Sequence, residues 1–495
     1  MSHYRCNVCR VFEYDSERGD SVTNIKPGTL PLDFPDDWRC PICHSKKTHL
    51  EKLEETKHFK RSVHTITCPV CGAKTEITIA NPELSDVGGY LGDWRRGSDE
   101  IENSMEIIHK ISANGESVIE PMRSRKSNIL WDDILILGAQ LKKIPLNHNA
   151  FVSTKTIIGP KALKPLIIET PIIITHMSFG ALSKEMKLAL AKGSSGAKTA
   201  IGSGEGGILK EEFENSYKYI FEYVPNGYSV TDDNLKKVDA VEIKIGQSAK
   251  PGMGGEIPAE KVTAEIANIR GFPQGTDIIS PANYEDIKTG DDLKRKVDWL
   301  REKSGGKPIG IKLAAGNIEG DLEVAVYACP DFITVDGRPG ATGAAKKIIK
   351  DATSVPTIYA LYRARKYLDF VGAADISLII TGGLRISSDF AKAIAIGADA
   401  VAIGTSALMS AACQQYRLCD TGKCPVGVTT QSAELRKRLK VDISAKKVEN
   451  FLQVSTEELK EFSRLTGNND VHEMSVLDLC TTSSEISENT NIPHV

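Results

Sequence analysis

Long apolar runs are missing from this chain. No stretch of its 495 residues approaches the ~20 consecutive apolar positions that a membrane-crossing helix requires. The opening residues, Met1-Ser2-His3-Tyr4-Arg5-Cys6, carry no apolar signal core. A basic excess is missing too: 62 Lys and Arg stand against 65 Asp and Glu, for a net charge of -3. That balance gives no electrostatic basis for nucleic acid as a general partner. Also absent is a Gly-x-Gly-x-x-Gly turn after the first strand pattern, which counts against an open doubly wound sheet. A soluble, cytoplasmic chain with no membrane and no nucleic-acid partner is expected, and 41% hydrophobic residues suffice for a large core.

What is present is cysteine in clusters: 11 residues, mostly in pairs and one triplet. In a reducing compartment such clusters read as metal ligands. Cys413, Cys419 and Cys424 lie just past an apolar strand pattern, Ala400-Val401-Ala402-Ile403-Gly404-Thr405. Three soft thiolates in one loop, the last followed by Pro425, suit iron–sulfur ligation better than zinc, which needs a fourth ligand. No fourth cysteine is close, so a 3Fe-4S cluster fits better than a four-iron one. Cys329 and Cys480 stand alone and are expected to be packed residues.

Two Cys-x-x-Cys knuckles, Cys6/Cys9 and Cys40/Cys43, open the chain. The segment is too short to bury much core and needs a metal staple; four thiolates hold iron or zinc. Residues 3 to 50 closely resemble rubredoxin, with Tyr4, Tyr14 and Trp38 as the small aromatic core. The resemblance favours iron and one-electron transfer. A third knuckle, Cys68/Cys71, lacks a partner pair, with His58 and His64 the nearest other donors. From about 81 to 125 the composition is that of a linker, with a short helix predicted near Ile101 to Ile111.

Beyond Pro171, eight short β-branched runs alternate with helical stretches: Ile172–Thr175, Thr199–Ile201, Val241–Ile245, Ile309–Leu313, Phe332–Val335, Thr357–Ala360, Leu378–Ile380 and Val401–Ile403. Each parallel return needs a crossover, so eight such units imply a closed (β/α)8 barrel of TIM type. Ser183 is predicted to cap a helix with Met186, Ala189 and Leu190 on one face. Ser387 or Ser388 is predicted to cap another, with Phe390, Ala393 and Ile394 inward.

Barrel chemistry sits where strands end. Those ends read Ser178-Phe179-Gly180-Ala181, Gly204-Glu205-Gly206-Gly207, Lys244 to Gly255 with Gln247 and Lys250, Lys312, Asp336 to Gly343 with Gly340, Gly382-Gly383 and Gly404-Thr405. Glycine at so many ends lets backbone amides approach a bound group. The last two ends follow strands seven and eight, the common barrel phosphate site. Lys312, inside a strand, is costly to bury unpaired, and the anionic edge of a flavin suits it. Lys244 and Lys250 favour an acidic substrate.

The region from about 125 to 480 resembles the FMN-binding synthase domain of glutamate synthase. Met177-Ser178-Phe179-Gly180-Ala181-Leu182-Ser183, Gln247 to Gly255, Ile279-Ser280-Pro281 and Cys424-Pro425-Val426-Gly427-Val428 carry the resemblance. It implies FMN held by Ser178, Gly180, Ala181, Gln247, Lys312, Gly340, Gly382, Gly383, Gly404 and Thr405, and a 3Fe-4S cluster on the cysteine triplet. It implies hydride transfer to 2-iminoglutarate, formed from 2-oxoglutarate and ammonia or glutamine nitrogen. Lys250 and Lys244 would hold substrate carboxylates, and Glu205 would orient or protonate the nitrogen. The expected domains are a rubredoxin-like one (1–52), a knuckle and linker (53–124), the barrel (125–480) and a tail (481–495).

The chain departs from the family pattern in four ways. It shows neither the family's glutaminase domain nor its C-terminal β-helix, so separate reductase and glutaminase subunits are expected. Asn226-Gly227-Tyr228-Ser229-Val230 replaces Gly-Arg-Phe-Gly-Val, and Gly254-Gly255-Glu256 replaces Gly-Gly-Gln. A lost arginine and an added carboxylate point to an alternative, a related FMN enzyme on a glutamate-like substrate such as the large subunit of N-methylglutamate synthase. A second alternative is an electron-transfer subunit without its own catalysis.

Overall fold

Eight parallel strands close on themselves in a computed structural model that describes residues 3–8, 12–42, 44–52, 63–67, 74–78, 99–126 and 129–495. The strands are Ile172–Ile174, Ala200–Gly202, Lys218–Tyr223, Ala240–Lys244, Ile309–Ala314, Phe332–Asp336, Ser377–Thr381 and Ala400–Ile403. The last pairs with the first, Val401 opposite Ile172, so no sheet edge is left exposed.

Period-two alternation divides each strand between two cores. Ile172, Ile174, Phe221, Val241, Ile243, Ile311 and Ile333 face the surrounding helices. Ile173, Ala200, Ile220, Ala240, Phe332, Ile379, Ala400 and Ala402 fill the interior, joined by Ile158, Leu166 and Ile168 of the hairpin Thr156–Ile158/Leu166–Ile168. Gly310 makes room for the Phe332 ring, which a Cβ at that position would overlap. Moving two residues along from Ile220, Ala240, Gly310 and Phe332 reaches Glu222, Glu242, Lys312 and Thr334, all buried. The interior is therefore apolar at one end and ionic at the other.

One predicted strand is not a strand. Thr357–Ala360 is the first turn of the helix Thr357–Phe370, entered from Pro356. Its apolar run continues into Leu361, Ala364 and Leu368, a helical period with good helix formers. The true third strand, Lys218–Tyr223, hides behind its charges: Lys-Tyr-Ile-Phe-Glu-Tyr carries a glutamate that faces inward. One false strand and one missed strand left the count at eight.

Ser183 accepts from the Met186 amide and caps Lys184–Gly196, with Met186, Ala189 and Leu190 buried. The second predicted cap is displaced. Ser387 is already helical, and Asp389 Oδ2 accepts the amides of Arg385 and Ile386 instead. Phe390, Ala393 and Ile394 are buried as expected. The long helix Val441–Leu465 packs close to Lys184–Gly196, where a Cβ on Gly193 would lie 2.6 Å from Val448. The tail is structured: Leu479–Thr481 pairs with Ile134–Ile136, and Ser484–Asn489 is helical. Cys480 is buried, but Cys329 is exposed, contrary to expectation. No helix among the described residues is long and apolar enough to cross a membrane.

The chain divides into two units, residues 1–119 with 346–348, and 120–345 with 349–495. In the first, Glu13–Asp15, His3–Cys6 and Leu50–Lys52 form an antiparallel sheet. Tyr14, Phe34 and Trp38 are buried, with Tyr14 edge-on to Phe34 at 4.8 Å and Phe34 at 5.0 Å from Trp38. Phe34 is an aromatic core member the sequence reading overlooked. Cys6 and Cys40 are fully buried. Cys9, Cys43, Cys68, Cys71 and His58 lie outside the described residues. The strands Val63–Thr67 and Lys74–Thr78 form a hairpin, and the linker helix spans Met105–Asn114, ended by Gly115 at φ 66°.

Candidate active site at the barrel mouth

The ionic end of the barrel opens into the loops that follow the strands. After the first strand, His176-Met177-Ser178 leads into Phe179-Gly180-Ala181. Gly180 sits at φ 108°, its amide donating to Leu182 O at 3.1 Å. Gln431 donates to the carbonyls of Gly180 and Leu182 at 3.2 and 3.0 Å. Ser183 Oγ donates to Gly427 O at 2.6 Å, which ties this loop to the segment after Cys424. Across from it Gly204, at φ 77°, lies so close to Ser178 that any side chain would overlap backbone.

Gly204 presents Glu205. Its carboxylate pairs with Lys244 at the end of the fourth strand and accepts the Gly255 amide at 3.0 Å. Burial pushes the Glu205 carboxyl up, but the charge and hydrogen bond of Lys244 bring it below its ordinary value. Glu205 is therefore an acceptor at neutral pH. Lys250 is largely enclosed and donates to Gly254 O at 3.0 Å; burial and the neighbouring Lys244 lower its pKa. Gln247 is half-buried in the same loop.

Lys312 lies deeper. The cost of burying it is met within the protein: Nζ is 3.4 Å from Glu222 Oε1, with Glu242 and Asp336 beyond. Burial alone would lower its pKa, yet those carboxylates raise it. Burial alone would raise Glu222, yet His176, Lys312 and Lys244 hold its carboxyl down at about 2. His176 Nε2 is 3.1 Å from Glu242 Oε2, and its Nδ1 accepts the Gly204 amide at 3.2 Å. Thr334 Oγ1 also donates to Glu242. The sequence reading missed His176, Glu222 and Glu242; inward alternation along Lys218–Tyr223 was the available signal.

The opposite side of the mouth is lined by glycine. Gly382 and Gly383 take φ of 106° and 89°, where side chains are strained, and a Cβ on either would overlap Gly337 or Pro339. A Cβ on Gly340 would overlap Ser248 Oγ. Gly404 and Thr405 begin the next helix, Thr405–Ala411, with Thr405 buried. Arg385 follows the glycine pair. Burial lowers its pKa to about 10, with Arg123 acting the same way. Glycine-opened backbone beside an arginine suits a phosphate.

The three cysteines of the late loop face one small cavity with Met122, Arg417 and Thr429. Cys419 Sγ lies 3.8 Å from Met122 Sδ, and Gln415 Nε2 donates to Cys413 Sγ at 3.3 Å. Burial raises the Cys419 thiol to about 12, and the Cys413 and Cys424 thiols beside it add to the rise. Burial raises the Cys413 thiol as well, and three sulfurs converging on one cavity are a donor set that a cluster cation would hold as thiolates.

A family model described as the conserved region in glutamate synthase matches residues 102–469. The chain belongs to the glutamate synthase family. A rubredoxin model matches residues 3–50. The archaeal glutamate synthase (NADPH) of Archaeoglobus fulgidus is 40% identical, over 88% of this chain and 90% of that one. The protein of the same name from Methanocaldococcus jannaschii is 39% identical, over 68% of this chain and 64% of its own length. A glutamate synthase large subunit-like protein of Rhizobium meliloti is 34% identical, over 81% of this chain and 95% of that one.

Against the glutamate synthase pattern, the two departures occupy different settings. Tyr228 is buried, hydrogen-bonded to Asn226, with the Arg270 guanidinium 5.2 Å from its ring centre. Arg270, also overlooked in the sequence, donates to Phe179 O at 3.0 Å and leaves its buried Nε without a partner. It lies close to Gly206 and Gly180, where added Cβ atoms would be 2.9 and 3.6 Å from its Nη2. The mouth therefore keeps a buried arginine. Glu256 is exposed, on the short strand Glu256–Ile257.

Proposed function

We propose that this chain is the synthase component of a glutamate-forming oxidoreductase, acting on 2-iminoglutarate derived from 2-oxoglutarate and ammonia. One observation carries the reading. Lys244, Lys250 and Arg270 gather around Glu205 at the barrel mouth that also presents the glycine-lined cradle. Three cations at one mouth suit a dicarboxylate. Bound FMN would supply hydride to the imine carbon, and a 3Fe-4S cluster would supply electrons singly.

The chain's own residues then have separate tasks. Lys250 and Arg270 hold substrate carboxylates. Glu205, ionised, accepts a hydrogen bond from the substrate nitrogen and orients it. Gly382, Gly383, Gly340, Gly404 and Thr405 admit the phosphate, with Arg385 beside them. Ser178, Gly180, Ala181 and Gln247 would hold the flavin ring, and Lys312, kept charged by its carboxylate partners, would favour its anionic form. Cys6, Cys9, Cys40 and Cys43 take iron, or zinc, at the rubredoxin-like site. Separate reductase and glutaminase subunits supply electrons and ammonia.

The test is anaerobic. Purified protein is examined for flavin and iron, reduced chemically, and given ammonia and 2-oxoglutarate. Flavin reoxidation with glutamate formed supports the reading. Bound flavin that 2-oxoglutarate does not reoxidise overturns that substrate. It moves the assignment to the second reading, an FMN enzyme on a glutamate-like substrate, which Tyr228 and Glu256 favour.

A further inference from the structure

Residues 255–270 form one connection that touches three parts of the mouth. At one end the Gly255 amide donates to Glu205 Oε1 at 3.0 Å. At the other Arg270 donates to Phe179 O at 3.0 Å. Between them Lys261, closing the 3-10 turn Ala259–Lys261, reaches the other way, and its Nζ donates to the carbonyl oxygen of Cys419 at 2.7 Å. Lys261 is 8% exposed. The cysteine loop is shaped around it: Gly422 takes φ 69°, and a Cβ there would lie 3.0 Å from Lys261 Cε.

Asp420 and Glu260 act on Lys261 from nearby, together with the thiols of Cys419 and Cys424, but among the described residues neither carboxylate forms an ion pair with it. Lys350, another buried lysine acting on Asp420, differs: Glu120 Oε2 neutralises it at 2.7 Å. A buried ammonium without a counter-ion is expensive. A cluster on three thiolates is a net anion that gains a further negative charge on reduction, so a fixed cation beside it favours the reduced state.

We propose that Lys261 is a positioning residue for electron transfer, whose ammonium raises the reduction potential of the cluster held by Cys413, Cys419 and Cys424 while its hydrogen bond to the Cys419 carbonyl ties that loop to the substrate-facing segment. This rests on the cluster reading given above. The test is a redox titration of the full-length holoprotein, followed by the cluster's electron paramagnetic resonance, in wild type, K261Q and K261R. Glutamine keeps a donor for the Cys419 carbonyl and removes the charge; arginine keeps both.

The expected result is a lower midpoint in K261Q and a near-wild-type midpoint in K261R, with acid-labile sulfide and flavin per chain unchanged. Loss of sulfide from K261Q alone shows the same charge requirement in stronger form. Equal midpoints in all three proteins overturn the proposal, as does loss of the cluster from both variants, which assigns Lys261 to loop folding. Absence of sulfide from the wild type sinks the cluster reading itself, a separate outcome.

Discussion

Lys312 Nζ lies 3.4 Å from Glu222 Oε1 near the centre of the barrel, with side-chain exposures of 7% and 2%. The Glu222 carboxyl is held down at about 2 against an ordinary 4.5, so its contribution to stability is present above 4.5 and lost as pH falls toward 2. Lys312 is raised, so its contribution is complete below 10.5 and lost only at higher pH. At neutral pH both are charged. Lys312→Met takes from the buried Glu222 carboxylate its ion-pair partner and should cost about 3–5 kcal/mol. Pairing it with Glu222→Gln should return part of that. Chemical denaturation of the two single variants and the double variant measures it, and a wild-type-like Lys312→Met would contradict the coupling.

Gly382 and Gly383 give a prediction about flavin content. Alanine at either place meets φ of 106° or 89° and overlaps Gly337 or Pro339. Strain of about 1–3 kcal/mol is expected, directed at the cradle rather than the core. Gly383→Ala should purify folded but with flavin per chain reduced several-fold, read from its visible absorbance. Full flavin occupancy in the variant would move the phosphate elsewhere.

The two cysteine groups predict separable metals. A rubredoxin-like centre contains no inorganic sulfide, whereas a 3Fe-4S cluster does. Cys424→Ser should therefore abolish acid-labile sulfide and leave iron at the N-terminal site. Cys40→Ser should lower iron and leave sulfide untouched. Sulfide that survives Cys424→Ser would remove that residue from the ligand set.

Much of this architecture was legible because glycine, cysteine and β-branched runs punctuate the chain with direct physical meaning. Seven of the eight strands, the cap at Ser183 and the glycine ends could be read locally. What failed was context. Lys218–Tyr223 went unread as a strand: its inward carboxylate is tolerated through Lys312, 90 residues away, together with His176 and Lys244, which only the folded chain brings to it. Thr357–Ala360 looked like a strand because four residues cannot distinguish a period of two from the first turn of a helix. Arg270 lies in an unremarkable helix, and only the folded chain brings it to Tyr228 and Phe179.

Lys250 predicts a split between substrate and cofactor. Its Nζ is held by Gly254 O at the mouth, well apart in sequence from the glycine pair of strand seven. A charge-assisted bond to a carboxylate is worth about 1.5–3 kcal/mol, or roughly 10- to 150-fold. Lys250→Ala should raise the KM for 2-oxoglutarate by about that factor while flavin content stays within twofold. An unchanged KM would end its assignment to substrate.

Glu205 and Lys244 make the sharpest pH prediction. Two influences compete on Glu205: burial raises its pKa, and the Lys244 charge and hydrogen bond lower it, with Lys244 winning. Activity that needs the carboxylate is then present above its depressed pKa and fades as pH falls through it. Lys244→Met removes the winning influence and leaves burial, together with the like charge of Glu222, which raises it further. The acid limb of kcat/KM should therefore move to higher pH, with neutral activity falling in proportion to the fraction of Glu205 that is protonated. Glu205→Gln should erase the limb, because an amide does not titrate. Stability should run the other way: with the folded Glu205 carboxyl raised above its unfolded value, Lys244→Met should lose stability at neutral pH and regain part of it as pH falls. If the acid limb of Lys244→Met overlays that of the wild type, the group that titrates is not Glu205, and the nitrogen is oriented by another residue of the mouth.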